Sequence, residues 1–110
     1  MPLTFSRTLA SGQLAATPTV LYTVPQLVMT RVFAIRCLNA GGGANTVTLA
    51  VREAGGTARN VVSIALAAGA MLVDTTRLDL ETGDAILGSA TNAAQVNYIV
   101  SGEEEDTKRG

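Results

Sequence analysis

"FAIRCLNAGGGANTVTLAVR", residues 33–52, decides the fold. Two runs rich in Val, Ile, Leu and Thr flank a loop of glycine, alanine and asparagine. In the second run Val47, Leu49 and Val51 alternate with Thr46, Thr48 and Arg52. That period of two gives a strand one apolar face and one polar face. In the first run Phe33, Ile35 and Cys37 share a face and Arg36 opposes them. The glycines between the runs mark a turn, read here as a hairpin of moderate length. The loop does not match a phosphate cradle, because no Gly-Lys-Ser/Thr follows it.

The same grammar extends in both directions. Strands are predicted at 3–9, 20–24, 28–39, 46–52, 60–66, 70–76, 77–80, 84–90 and 95–101. Between them lie turn-forming stretches such as "EAGGTARN" (53–60), "ETGD" (81–84) and "SATNAAQ" (89–95). Short β-branched runs with regular turn signals predict a sandwich or barrel. A helix over "VVSIALAAGAML" is disfavoured by Gly69 and the β-branched residues. The expected fold is all-β: a single antiparallel β-sandwich, jelly-roll-like, spanning 20–101. An extended N-terminal arm with a possible strand-exchange segment is expected at 1–19. A charged C-terminal tail is expected at 102–110, with Gly102 breaking the last strand.

The chain has 110 residues, the size of one domain. Hydrophobic residues make up 47% and aromatics 4%, with no Trp, so the core must be aliphatic. Up to Val100 six Arg (Arg7, Arg31, Arg36, Arg52, Arg59, Arg77) face five acids (Glu53, Asp74, Asp79, Glu81, Asp84). This near-neutral body lacks the basic stripe of a nucleic-acid binder. A near-neutral, rather apolar surface favours association. All body cations are Arg, whose planar, weakly hydrated fork suits interfaces. No apolar run reaches membrane-spanning length. The first residues lack the charged-then-apolar order of a secretion signal. The expected location is the cytoplasm, or a larger particle assembled there.

Histidine is absent, which removes the usual neutral-pH base and the commonest transition-metal ligand. A single cysteine, Cys37, rules out an internal disulfide and reads as a buried thiol. Zinc sites and Ser-His-Asp or Cys-His arrangements are excluded on the same count. Asp74, Asp79, Glu81 and Asp84 lie close together, but "DTTRLDLETGD" matches no calcium loop and Arg77 opposes a cation. The same carboxylates lack the aromatic platforms of a glycosidase. "LETGD" (80–84) reads as a turn, with Gly83 free to take positive φ and Asp84 holding the loop. No catalytic residue, cofactor or metal is expected.

"LYTVP" (21–25), Asn39 before its glycine-rich loop, "LETGDAI" (80–86) and the Val-rich "VNYIV" (96–100) follow one another in order. In these motifs residues 20–102 resemble a type of small virion protein of tailed bacteriophages. Residues 26–30 depart from that pattern, which has a glycine-containing turn there. The resemblance implies a β-sandwich accessory protein of the head or tail, and no catalytic residues.

The expectation is a structural virion protein, most readily a capsid decoration or cement protein. It would be a homo-oligomer, with a trimer favoured, and would bind the major capsid protein or other virion proteins. Leu3, Phe5, Arg7 and Leu9 of the arm are the candidate contacts to a neighbour. Arg31, Arg36, Arg52 and Arg59 are the candidate contacts to acidic capsid patches. The alternative is a tail, neck or fibre module, including one that binds a host receptor.

Overall fold

The computed structural model describes residues 4–75 and 77–106. Among them the strands are β1 (Thr4–Gln13), β2 (Thr19–Thr23), β3 (Val28–Asn39), β4 (Asn45–Arg52), β5 (Arg59–Leu66), β6 (Met71–Asp74), β7 (Leu78–Leu80), β8 (Ala85–Ala90) and β9 (Val96–Asp106). One sheet has the order β1-β9-β3-β6, with β7 also pairing with β3; the other has the order β2-β8-β4-β5. Every pairing is antiparallel.

The two orders follow from one long hairpin. β4 pairs with β5 at its tip, β3 with β6 and β7, β2 with β8, and β1 with β9. Rolling that hairpin adds the pairs β3–β9 and β4–β8. The fold is a jelly roll. Its core is aliphatic, as the composition demands: Val32, Ile35, Cys37, Val47, Leu49, Ile86, Val96 and Val100 meet between the sheets. Burying each such side chain stabilises the fold by about 1.5–3 kcal/mol before entropy is counted.

The glycine-rich loop is not a hairpin. β3 and β4 belong to different sheets, so residues 40–44 cross from one to the other. Two buried asparagines hold the crossing. Asn39 Nδ2 donates to the carbonyls of Gly43 (2.8 Å) and Leu66 (2.9 Å), and its Oδ1 accepts from Gly41 N–H and Asn45 Nδ2, both at 3.1 Å. Asn45 Oδ1 accepts from Asn92 N–H at 2.9 Å. Buried amides persist only when their donors and acceptors are paired, and these tie three loops together.

Phe33 leaves the face it was expected to share with Ile35 and Cys37. A β-bulge between Val32 and Ala34 shifts the register of β3 against β9. Thr30 and Val32 point inward before it, and Ile35, Cys37 and Asn39 after it. The extra residue reverses the alternation and leaves Phe33 exposed.

The chain ends also need correction. Residues 4–13 of the expected arm are paired within the chain, as β1 on β9. The expected break at Gly102 is absent: β9 continues to Asp106 between β1 and β3. Its inward set, Val96, Tyr98 and Val100 as expected, runs on through Gly102 and Glu104. A Cβ on Gly102 would lie 2.1 Å from the Arg31 carbonyl oxygen and 3.0 Å from Val32 Cα. The bulged strand presses on β9 there, and only glycine fits.

The 81–84 turn agrees with the sequence. Gly83 has φ 87°. Asp84 accepts from Glu81 N–H (2.9 Å) and Ala54 N–H (3.0 Å), joining this turn to the 53–58 loop.

Gly102→Ala should therefore destabilise the fold by about 1–3 kcal/mol in urea titrations, because backbone atoms must give way. Gly43→Ala, where a new Cβ meets nothing, should stay within about 0.5 kcal/mol of the parent. Equal effects at the two positions would contradict the close approach.

Candidate functional site

Arg31 on β3 stands opposite Glu103 of β9. Its NH1 donates to Glu103 and its NH2 to Glu105, each at 3.0 Å. Arg7 on β1 reaches across to Glu104. Two of the expected contacts are thus engaged by the acidic end of their own chain.

Glu104 points into the sandwich, its side chain 8% exposed against 58% for Arg7. One carboxylate oxygen accepts from Arg7 and the other from the Tyr22 hydroxyl. The Tyr22 hydroxyl also meets Thr30 Oγ1 at 2.8 Å. Tyr22 belongs to the opposite sheet, so this cluster spans the core. Burial pushes the Tyr22 phenol up to about 12, and the Glu104 hydrogen bond adds to the shift.

Arg36 is different. It lies on the outer face of the first sheet, with Val73 beside it on β6 and Ile99 beside it on β9. The adjacent row holds Met71, Leu38 and Asn97. Met71 is 56% exposed, Val73 48%, Ile99 45% and Phe33 42%. A depression of about 290 Å³ runs along Arg36, Leu38, Met71, Asn97 and Ile99. The result is an apolar strip around one cation. No ion pair to Arg36 occurs among the described residues.

The other expected contacts are scattered. Arg52 is half-buried at the end of β4, and Arg59 is exposed at the start of β5. Leu9 is half-buried and packs on the core. Phe5 pairs in register with Glu104, and Leu3 lies outside the described residues.

A second depression, about 420 Å³, opens where the 53–58 loop, β7 and the 81–84 turn meet. Val51, Val61, Leu78 and Leu80 line it together with Glu53, Asp79, Glu81 and Asp84. Asp79 accepts from Arg77 Nε at 2.8 Å, and Asp84 is engaged in its turn. Glu53 and Glu81 are exposed and make no ion pair among the described residues.

The strip was missed from sequence, although a signal existed. In "AMLV" (70–73) apolar residues occupy successive positions, so both faces of that strand are apolar. The Glu104 cluster carried a weaker signal, the continued alternation of β9, concealed by its acidic composition.

No protein-family model matches this sequence, and no curated protein matches it. Similar folds occur among solved structures. A chain from the disulfide-linked pili of Bacillus endospore appendages aligns at TM-score 0.59 and 18% identity, covering 96% of this chain and 88% of that one. A chain of infectious bursal disease virus, Gx strain, aligns at TM-score 0.54 and 13% identity, covering 96% of this chain and 32% of that one. Another chain, from a particle of the same virus, gives 0.56 and 10%, covering 94% of this chain and 30% of that one. This chain spans about a third of the viral chains' length. At such identities the likeness is one of fold.

The Tyr22 phenol predicts an alkaline limit. Its folded pKa of about 12 exceeds the ordinary 10.0. The unfolded chain then loses the proton first, so stability present below about pH 10 falls as pH rises toward about 12. Urea midpoints across that range should fall less steeply for Tyr22→Phe than for the parent. Parallel curves would remove Tyr22 from the effect.

Proposed function

We propose that this chain is a structural subunit of a virion. Its finer assignment is a decoration or cement protein of a tailed-phage head. The observation that carries the reading is the exposed apolar strip of Phe33, Met71, Val73 and Ile99 on the outer face of a jelly roll. Several exposed large apolar residues gathered on one face mark a surface that another protein covers. The viral and pilus folds above and the phage-like motifs at 21–25, 80–86 and 96–100 support a role in assembly. The partner would be the major capsid protein or another virion protein, and the reading involves no catalytic step or cofactor.

Copy number supplies affinity in such a role, because many weak contacts on one particle act together. A trimer at a capsid symmetry axis fits this logic. Covalent linkage through Cys37 does not: the thiol is buried, and burial pushes its pKa up to about 11.

Purified protein added to phage heads that lack it should bind in a fixed ratio and raise their melting temperature. A reducing agent should leave binding unchanged. Binding to host cells with no affinity for heads would replace this reading with the receptor-binding one.

A further inference from the structure

We propose that the strip around Arg36 docks against a second copy of this chain, in the acid-lined depression between the 53–58 loop, β7 and the 81–84 turn. The inference deepens the assembly reading above and rests on it.

Strip and depression are complementary in charge and polarity. On the outer face of the first sheet Arg31 is already neutralised by Glu103 and Glu105, and Arg7 is held by the inward Glu104. Arg36 is exposed there with no acid of its own among the described residues, and Val73 and Ile99 flank it. A cation ringed by apolar side chains fits a receptor with apolar and acidic side chains together. The depression offers both chemistries: Val51, Val61, Leu78 and Leu80 line it together with Glu53 and Glu81, which make no ion pair among the described residues. The Arg stem would lie on the apolar side chains while its guanidinium meets the carboxylates.

The same feature disfavours a symmetric contact. Two outer faces packed about a two-fold axis through Arg36 would bring like charges together in a low-dielectric interface. Strip and depression are separate patches on one molecule, so a single contact between them is head-to-tail and leaves a free strip at one end and a free depression at the other. Such contacts close into rings or continue as filaments, according to the rotation between neighbours. A closed ring of three would satisfy the trimer of the assembly reading.

The test is sedimentation of the full chain over a range of concentrations and salt. The wild type should self-associate in a concentration-dependent way, less so at high salt. Arg36→Glu should weaken association at least about tenfold, with an unchanged melting temperature because the site is exposed. Glu53→Arg with Glu81→Arg should weaken it similarly. Combining all three substitutions should restore association, since the charges are exchanged. Thr48→Glu, on the outer face of the other sheet, should leave association as it was. A wild type that stays monomeric throughout overturns the inference, as does association indifferent to Arg36→Glu or not restored by the exchange. If either happens while the protein still binds heads, the docking inference falls and the assembly reading stands. If the protein neither self-associates nor binds heads, both fall.

Discussion

The structure depends on the last strand lying inside a sheet. β9 pairs with β1 on one side and β3 on the other, so the two ends of the chain meet along its length. Its inward residues Val96, Tyr98 and Val100 supply core, and Gly102 admits the bulge of β3. Without this strand the first sheet loses its middle, and β1 has no partner strand among the described residues.

Three consecutive glutamates in such a strand need compensation. Alternation separates them: Glu103 and Glu105 flank Arg31 on the outside, and Glu104 alone enters the core. A buried carboxylate is tolerable only with hydrogen bonds to both oxygens and a counter-charge. Tyr22 and Arg7 supply these, one from the opposite sheet and one from the first strand. The bulge, the obligate glycine and the acidic cluster together make the end of β9 the place where local sequence and global fold are most tightly coupled.

Much of the architecture was legible beforehand. The sequence pattern places β3 at its observed bounds and β4 within a residue, because the alternation there is strong. The aliphatic core and the turn at Gly83 and Asp84 followed from composition and turn chemistry. What escaped the reading depends on partners distant in sequence. "GEEED" resembles a solvated run until Arg7 and Arg31 are placed beside it. The glycine-rich loop announces a turn, but not whether its strands share a sheet. Phe33 obeys the alternation in sequence and leaves it in the fold, because the bulge arises from pairing with β9. The Arg residues could be recognised as interface formers, yet sequence alone could not tell the internally paired Arg7 and Arg31 from Arg36, which faces outward in an apolar setting.

The division of charge connects fold to function. The cations that the acidic strand neutralises belong to the architecture, and the one left on the outer face belongs to the surface. All of this requires residues 102–106 to be strand. Native-state hydrogen exchange read by NMR tests that requirement most directly. The account predicts that the sheet-bonded amides of this segment exchange as slowly as those of Val96 to Val100, in one cooperative unit with β3. Exchange at the rate of an unstructured chain from Gly102 onward would contradict it.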